Sequence, residues 1–407
     1  TRVSYAKEIN KALLPVGDKS ALTHIIEKFP KDIEIVMPIG YNAQLLKDFI
    51  SQVHSDRKIT FVMVDKYEGK GSGPGYSLMA CKEHLMCPFI FTSCDTIVLE
   101  DIPKPNKNWI GVAHVPDSTD YCVAEVKNGF VNKFYDKVPT NILLKTCENY
   151  RTILDSAFIG MAGVFDFDVF WNGLTHDKLL IRDELQVSNG LNALLRENLH
   201  AFSFTWFDTG DDAGYDYTNR FFNKNRVLTK ANEFIFIENN LVIKYFSDKE
   251  IARNRVKRAS LLKGIVPEII FYSDNLYAYK YVEGKTLPQV NSISVFKNFI
   301  NFCQEKLWKP IPLKPDQEEK FRKTCKKFYY KKTKKRLDLF YKKTDIIDKN
   351  ENINGAKVST LSKLLKNVDW KSLYDGIPVL YHGDLQPENI IYDGTSFSLV
   401  DWRQDFG

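Results

Sequence analysis

The chain has 407 residues, which is enough for two domains or more, and its apolar fraction of 44% is ordinary for a globular protein. It contains no run of about 18 apolar residues, which excludes a membrane-spanning helix, and its net charge of +6 suits phosphorylated ligands without requiring nucleic acid. Its seven cysteines are dispersed singly, without metal-binding spacing, and this predicts reduced thiols in a cytoplasmic protein.

The first half of the chain alternates segments of helical spacing with short apolar runs. Helical spacing is found over 21–29, 43–53 and 76–85, and strand-like runs over 33–37, 59–64 and 88–92. Such alternation predicts a parallel sheet covered by helices. Ligands bind this kind of sheet at the carboxyl ends of its strands.

Two carboxylates follow apolar strands in this region. Asp95 ends the run that begins at Phe89, and Asp208 ends a second predicted strand over 201–207. Two acids at one edge of a sheet predict a shared Mg²⁺ that bridges nucleotide and acceptor phosphates. Taken alone, each acid fits a helix N-cap or a turn equally well.

The order of these motifs through residue 217 resembles the sugar-phosphate and phosphocholine nucleotidylyltransferase family. The resemblance implies that Arg2 contacts the triphosphate, that Lys11 is the catalytic lysine, and that Asp95 and Asp208 bind the metal. It also implies a Rossmann-like, GT-A-like mixed sheet with helices on both faces. Asn10 stands where the family has a proline.

Two further segments carry the same resemblance. The glycine-rich loop 70–75 resembles the base-binding loop, with Ser72, Gly73 and Gly75 as nucleotide contacts, although a plain turn fits it too. Lys137, after the run 130–136, and Glu184 resemble the residues that bind the acceptor. A simply exposed lysine is the alternative for position 137.

The second half opens on a predicted β-hairpin over 232–246 with an asparagine turn, and a basic helix over 249–263 follows it. Lys244 in the second strand resembles the kinase lysine that contacts ATP phosphates, and a strand-edge lysine is the alternative. Tyr281 and Val282 resemble the hinge that holds adenine. Residues 288–370 are then expected to be mostly helical.

Near the end of the chain stand an acid, an amide five residues later, and a second acid after a short apolar run. Such a set serves phosphoryl transfer, with Asp384 as base and Asn389 and Asp401 holding Mg²⁺ against ATP. The apolar pairs at 390–391 and 399–400 predict two short strands. The block resembles the catalytic loop of the aminoglycoside phosphotransferase and choline kinase family, which implies a bilobal, protein-kinase-like α+β domain. A simple hairpin turn is the alternative.

The lysine-rich stretch 320–343 carries interleaved aromatic residues. It fits a nucleic-acid patch in composition. Its apolar residues recur at helical spacing, however, which favours an amphipathic helix with a solvated lysine face.

We therefore expect a nucleotidylyltransferase domain over 1–222 and a kinase-like domain over 223–407, with lobes of about 228–282 and 283–407. The expected protein is a bifunctional cytoplasmic transferase with Mg²⁺ as cofactor. It would phosphorylate a small alcohol or sugar with ATP and couple the phosphate to a second nucleoside triphosphate, CTP being favoured. The product would be an NDP-activated precursor of surface polysaccharide.

Two alternatives stay open. One is a sugar kinase joined to a sugar-1-phosphate nucleotidylyltransferase, and the other is a non-catalytic regulatory or RNA-binding protein. In the favoured interpretation the partners are small molecules, without nucleic acid or membrane. The sequence lacks the glycine-rich turn and first strand typical of the first family and the last helices typical of the second, so we expect a fragment of a longer protein.

Overall fold

The computed structural model describes residues 9–146, 150–177, 179–223 and 232–405, with the backbone alone for 146, 150 and 151. Contacts divide the chain into two compact units, Thr1–Ser247 and Asp248–Gly407. The boundary expected between residues 222 and 223 stays a prediction, because residues 224–231 lie outside the described ranges.

The first unit begins with the expected alternation of strands and helices. Its first elements are β1 (Pro15–Val16), β2 (Lys19–Ser20), α1 (Ala21–Ile26), β3 (Ile35–Ile39), α2 (Ala43–Val53), β4 (Ile59–Met63) and α3 (Pro74–Ala80). Helix α2 has the predicted bounds, and its residues Leu46, Phe49 and Val53 are buried because they recur at helical spacing. Strands β3 and β4 pair in parallel, as expected of a strand–helix–strand unit.

A six-stranded sheet forms the centre of this unit. The elements that build and surround it are β5 (Phe89–Thr92), β6 (Thr96–Val98), β7 (Trp109–Ala113), β8 (Cys122–Lys127), β9 (Phe130–Asp136), α4 (Thr140–Thr146), α5 (Tyr150–Leu154), β10 (Ala157–Val164), α6 (Phe167–His176), β11 (Leu180–Ile181), β12 (Glu184–Leu185), α7 (Ser188–Ala193) and β13 (His200–Ser203). The strand order is β5-β10-β7-β13-β9-β8.

The pairing within this sheet is mixed. Strands β7 and β13 run parallel, whereas β10 pairs antiparallel with β5 and β7, and β8 pairs antiparallel with β9. The expectation of a parallel sheet is therefore wrong, and the mixed sheet implied by the family resemblance is confirmed. The β8–β9 pairing has a local cause, since Asn128 and Gly129 both have positive φ and form a tight turn that returns the chain antiparallel to itself.

The core of the sheet holds β5 in place. Phe89 of this strand stacks on Trp171 of α6, with ring centroids 5.4 Å apart. Phe170 contacts the Phe89 ring edge-on. The Trp171 indole N–H donates to the carbonyl of Leu85 at 3.1 Å. Because its polar atom is satisfied, the large tryptophan side chain is buried without an unpaired donor. This packing anchors the first residue of β5, the strand that Asp95 follows.

The segment 201–207, expected as one strand, forms parts of two. Strand β14 (Trp206–Asp208) leaves the large sheet and pairs antiparallel with β6, placing Asp208 opposite Thr96. The backbone N–H of Thr205 donates to the Glu100 carboxylate at 2.9 Å, and its hydroxyl donates at 2.6 Å. These bonds turn the chain out of the sheet. Helix α8 (Asp212–Phe222) follows, with Asp211 as its N-cap.

The predicted hairpin is confirmed as β15 (Glu233–Glu238) and β16 (Leu241–Phe246). Asn239 and Asn240 have φ of 48° and 62°, which suits the tight turn between twisted strands. The hairpin packs on the first unit, since Phe236 meets Phe49 edge-on at 5.0 Å and the Ile237 N–H donates to the carbonyl of Asp18 at 2.7 Å. The sequence alone assigned it to the second domain.

The second unit is mostly helical between residues 288 and 370, as predicted. Its elements are α9 (Lys249–Leu261), β17 (Ile269–Ser273), β18 (Leu276–Lys280), β19 (Lys285–Thr286), α10 (Leu287–Val290), α11 (Ile293–Phe302), α12 (Pro315–Lys326), α13 (Lys332–Thr344), β20 (Glu351–Ile353), β21 (Ala356–Val358), α14 (Leu361–Lys366), β22 (Ile390–Tyr392) and β23 (Phe397–Leu399). Strands β22 and β23 pair antiparallel and confirm the two short strands expected near the end of the chain.

Helices α12 and α13 form the lysine-rich stretch and are joined by a π-helical turn, Lys327–Lys331. Phe321, Cys325 and Phe328 are half-buried on one side, as the amphipathic interpretation predicts. None of the helices in the described ranges is both long and apolar enough to cross a membrane.

Candidate functional site

Lys11 lies in a short 3₁₀ turn, Lys11–Leu13, that Asn10 caps. The Asn10 side chain accepts a hydrogen bond from the N–H of Ala12 at 3.1 Å and donates to the carbonyl of Tyr41 at 2.9 Å. The Asn10 side chain therefore fixes this turn by capping it. From the turn, the Lys11 ammonium reaches the Asp95 carboxylate at 2.6 Å. Arg2 lies outside the described residues.

Asp95 and Asp208 approach each other at Gly210. The Gly210 N–H donates to Asp208 Oδ1 at 2.7 Å, and the Thr209 N–H donates to the backbone carbonyl of Asp95 at 3.0 Å. A Cβ atom added to Gly210 would lie 2.9 Å from Asp208 Oδ1 and 3.2 Å from Asp95 Oδ2. The structure thus brings together three residues predicted from sequence, Lys11 and the two acids.

The charges in this cluster act on one another. Burial, and then the negative charge of Asp95, raises the pKa of the Asp208 carboxyl to about 6. The pKa of the Lys11 ammonium is raised first by the Cys94 side chain and then by the Asp95 carboxylate. Because burial raises the pKa of the Cys94 thiol, that thiol is neutral near pH 7, and Asp95 is the charge that acts on Lys11 there.

Two carboxylates that repel each other favour a cation between them. Within the described ranges, no three His, Cys, Asp or Glu side chains converge as a metal centre. Mg²⁺ does not need such a cage, since it is usually held by one or two carboxylates, water and substrate phosphates. Asp95 and Asp208 therefore fit Mg²⁺ that arrives with a nucleotide.

The predicted base loop packs against the predicted acceptor segment. The Gly71 N–H donates to the carbonyl of Asp183 at 2.6 Å, and the Leu185 N–H donates to the carbonyl of Ser72 at 2.8 Å. A Cβ at Gly73 would lie 2.8 Å from the carbonyl oxygen of Leu185, and one at Gly75 equally close to that of Gln186. The glycines are required here because two backbones approach closely.

Lys137 and Glu184, both predicted to bind the acceptor, form an ion pair of 3.6 Å. The Lys137 side chain is only 13% exposed, which excludes the alternative of a simply exposed lysine. Gln186 donates from its amide to the same Glu184 oxygen at 2.9 Å, so this carboxylate is held from two sides. Each residue of the pair is thereby oriented by a partner.

Sequence reasoning missed Tyr121. Its hydroxyl donates to Asp208 Oδ2 at 3.4 Å, and its carbonyl accepts from the N–H of Lys137 at 2.9 Å. The sequence contained part of the information needed to find it. Tyr121 directly precedes β8 and Lys137 directly follows β9, and a tight turn pairs these two strands.

In the second unit, the register of β22 and β23 brings two predicted metal ligands to one end of the hairpin. The N–H of Val400, the residue before Asp401, donates to the carbonyl of Asn389 at 2.9 Å. The Asn389 amide donates to the backbone carbonyl of Asp384 at 2.9 Å. Asp384, Asn389 and Asp401 are therefore connected through one loop and one hairpin.

Arginines lie beside both acids of this set. Arg403 Nη2 is 3.5 Å from Asp384 Oδ2, and Arg255 Nη1 of α9 is 3.5 Å from Asp401 Oδ1. Arg258, one turn further along α9, donates to the backbone carbonyls of Tyr381 and Arg403. Helix α9 thus holds both ends of the predicted catalytic loop, a role that its basic composition did not indicate.

His382 is buried in the same loop and accepts a hydrogen bond at Nδ1 from the N–H of Asp384 at 3.3 Å. Burial, and then the charge of Arg258, lowers the pKa of His382 to about 4, so the imidazole is neutral near pH 7. A neutral ring can accept at Nδ1, which a charged one cannot. His382 therefore supports the backbone that carries Asp384.

The remaining predicted ATP contacts fall in different units. Lys244 in β16 is 2% exposed, which excludes an exposed strand-edge lysine, and it belongs to the first unit. Tyr281 and Val282 connect β18 to β19 in the second unit, and the Tyr281 side chain is exposed. A shared ATP site for these residues stays a prediction.

The N-terminal part of the chain is similar to nucleotidyltransferases. The bifunctional protein GlmU of Methanococcus vannielii is 25% identical over 244 residues, which is 57% of this chain and 54% of that protein. GlmU of Methanococcus maripaludis strain C7 is 23% identical over 249 residues, which is 57% of this chain and 55% of that protein. The chain thus spans about half the length of these curated relatives. It matches no protein-family model.

Solved structures also match about half of the chain, at low sequence identity. An apo UDP-glucose pyrophosphorylase superposes with a TM-score of 0.44 and 16% identity, covering 56% of this chain and 97% of that one. The CTP:phosphocholine cytidylyltransferase of Streptococcus pneumoniae superposes with a TM-score of 0.41 and 15% identity, and the match covers 54% of this chain and 93% of that one. The resemblance predicted for the second half of the chain stays a prediction.

Proposed function

We propose that the first unit transfers a nucleotidyl group from a nucleoside triphosphate to a phosphorylated small alcohol or sugar and releases pyrophosphate. The observation that carries the proposal is the cluster of Lys11, Asp95 and Asp208 at one edge of the fold. The similarity of the N-terminal part to curated GlmU proteins supports it. CTP is the favoured nucleotide and phosphocholine the favoured acceptor, with a sugar 1-phosphate as the alternative.

The roles of the residues follow from their charges. An oxygen of the acceptor phosphate attacks the α-phosphorus, a new P–O bond forms, and the bond to pyrophosphate breaks. Lys11 offsets the charge that develops on the triphosphate, and Lys137, oriented by Glu184, offsets the charge of the acceptor. Asp95 and Asp208 would hold Mg²⁺, which would supply Lewis-acid charge to the reacting phosphates. Ser72, Gly73 and Gly75 offer backbone groups to the base.

For the second unit we propose ATP-dependent phosphorylation of the alcohol or sugar that the first unit then uses. Asp384 would accept the hydroxyl proton, and Asn389 and Asp401 would hold Mg²⁺. Tyr281 and Val282 would hold adenine. The two steps together would yield an NDP-activated precursor of surface polysaccharide, made in the cytoplasm, where the nucleotides are available.

The test offers the full-length protein ATP with a panel of alcohols, aminoalcohols and sugars, and then offers each product with each of four nucleoside triphosphates. Pyrophosphate release and the mass of the NDP-linked product are measured. We expect one acceptor to pass both steps and Asp208→Ala to stop the second. No pyrophosphate release with any phosphorylated acceptor would contradict the assignment of the first unit.

A further inference from the structure

Tyr121 lies between the acceptor lysine and the paired carboxylates. Its hydroxyl donates to Asp208 Oδ2 at 3.4 Å, while its backbone carbonyl accepts from the N–H of Lys137 at 2.9 Å. One residue therefore contacts a member of each predicted subsite. We propose that Tyr121 is a positioning residue that sets the placement of the Asp208 carboxylate relative to Lys137. The proposal rests on the proposed nucleotidyl transfer.

The fold holds the Tyr121 ring rigidly. The ring meets Trp206 edge-on, with centroids 5.7 Å apart and planes at 87°. Trp206 and Asp208 lie on the same strand, β14, two residues apart and therefore on the same face of it. The Tyr121 N–H also donates to the carbonyl of Ser118 at 3.1 Å. The hydroxyl is thus carried by a ring that packs on the strand whose carboxylate it contacts.

The Asp208 carboxylate is held at both oxygens. The Gly210 N–H donates to Oδ1 at 2.7 Å, and the Tyr121 hydroxyl donates to Oδ2. Two donors on different oxygens fix the rotation of a carboxylate, whereas one donor leaves it free to turn about its last bond. The hydroxyl of Tyr121 therefore fixes the direction in which the Asp208 oxygens face a bound cation.

The backbone of Tyr121 acts on Lys137. Lys137 has a φ of 54°, a left-handed conformation that is uncommon for a residue with a long side chain. Its N–H is bound by the Tyr121 carbonyl, and the preceding Asp136 pairs with Cys122 across β8 and β9. This backbone contact does not depend on the hydroxyl. A phenylalanine at position 121 would keep it and would lose the bond to Asp208.

Transfer between two bound phosphates requires near-attack placement, so small displacements lower the rate more than they lower affinity. We therefore expect Tyr121→Phe to lower kcat by roughly tenfold, the effect of one hydrogen bond to a charged group. The KM for the acceptor should change by less than about twofold, because Lys137 keeps its contacts. If Tyr121 had only a structural role, Tyr121→Phe would lower the melting temperature instead, and it would not lower kcat while leaving KM unchanged.

A second measurement needs no turnover. Binding of Mn²⁺ in the presence of a non-hydrolysable nucleotide is followed by the electron paramagnetic resonance of free Mn²⁺. It is measured in the Asp401→Gly background, which lacks an acid of the second proposed metal site, so that a change reports the metal site of the first unit. Tyr121→Phe should weaken this binding several-fold. The matched control is Tyr135→Phe, since the Tyr135 hydroxyl donates to Glu125 Oε2 at 3.3 Å in the same hydrophobic cluster. We expect the control to match the wild type in kcat, in Mn²⁺ affinity and in melting temperature.

Wild-type kcat and wild-type Mn²⁺ affinity in Tyr121→Phe would overturn the proposal, and so would an equal loss in Tyr135→Phe. Failure of the proposed function gives a different result, because the wild type would then show no nucleotidyl transfer. The Mn²⁺ measurement would in that case still decide whether the hydroxyl positions Asp208. A weaker affinity in Tyr121→Phe alone would support the contact, and equal affinities would refute it.

Discussion

Gly210 provides the space in which the carboxylates of Asp95 and Asp208 meet. A methyl group there would approach Asp208 Oδ1 to 2.9 Å, closer than a carbon and an oxygen tolerate without a shift. The backbone of Gly210 does not have a positive φ, so alanine fits its conformation. The effect of a substitution should therefore fall on the site rather than on the fold.

We expect Gly210→Ala to lower nucleotidyl transfer by about tenfold or more, because a displaced carboxylate costs rate steeply. Its melting temperature should stay close to that of the wild type. The control is Gly376→Ala, where an added Cβ would find its nearest neighbour at 3.7 Å. Pyrophosphate release and thermal unfolding are measured for both variants. Full activity in Gly210→Ala would show that the two acids do not work at this point.

Single residues of the site were predictable where a strand pattern ended in a charged group. Asp95 follows an apolar run, and Lys11 and Lys137 stand in segments that resemble a known family. Gly210 and Tyr121 could not be found in this way. Their contacts with Asp208 exist because β14 leaves the large sheet, and that turn depends on Glu100, which is distant in sequence.

Among the elements, the β15–β16 hairpin is anchored on the first unit by Glu238. The buried Glu238 carboxylate accepts from the N–H of Ser20 at 2.6 Å and from the Thr23 hydroxyl. The same hydroxyl lies 3.0 Å from Nε2 of the buried His54. One hydroxyl therefore joins a carboxyl group and an imidazole in the interior, and each of them has a shifted pKa.

The two shifts have opposite effects on stability. Burial raises the pKa of Glu238 from 4.5 to about 7, although the hydrogen bonds from Thr23 and Ser20 act to lower it. The folded state thus holds this proton more tightly, and stability falls as pH rises from about 4.5 to 7, by on the order of 3 kcal/mol. Burial lowers the pKa of His54 from 6.5 to about 4, so its ionisation costs stability at low pH. That contribution rises as pH increases from about 4 to 6.5.

We expect Glu238→Gln to remove the Glu238 contribution, which opposes that of His54. The melting temperature of the variant should rise with pH between about 4 and 6.5 more steeply than that of the wild type, and then level off. Thermal unfolding across this range is the measurement, with the exposed Glu83→Gln as control. Parallel curves for Glu238→Gln and the wild type would contradict the raised pKa of Glu238.

Elements were predictable where local pattern decided them. Helix α2 has its predicted bounds because its apolar residues repeat at helical spacing, and Asn239 and Asn240 specify their turn by their own backbone preference. The unit on which the hairpin packs was not predictable, since Glu238 finds its donors at Ser20 and Thr23, far away in sequence. The direction of strand pairing in the large sheet likewise depended on partners that the sequence pattern does not name.

At the scale of the whole molecule, each compact unit carries its own set of acids. Asp95 and Asp208 lie in Thr1–Ser247, and Asp384 and Asp401 lie in Asp248–Gly407. Compact units with separate cores usually keep their own chemistry when one is damaged. The proposed functions should therefore be separable by single substitutions.

We expect Asp384→Asn to abolish ATP-dependent phosphorylation and to leave nucleotidyl transfer to a supplied phosphorylated acceptor intact. Asp208→Ala should do the reverse, with a loss on the order of 10²-fold or more in nucleotidyl transfer. Both rates are measured for each variant, together with circular dichroism to establish folding. Loss of both activities in one folded variant would count against two independent sites.

The backbone of Asp401 has a consequence for how this chain can change over generations. Its φ of 62° is a conformation that asparagine and glycine accept readily and that alanine or serine resist by about 1 kcal/mol. One base change in an aspartate codon gives asparagine or glycine. Alanine is also one base change away, so a descendant released from selection on this carboxylate should drift to Asn or Gly at position 401 more often than to Ala, and would keep its hairpin while losing its charge.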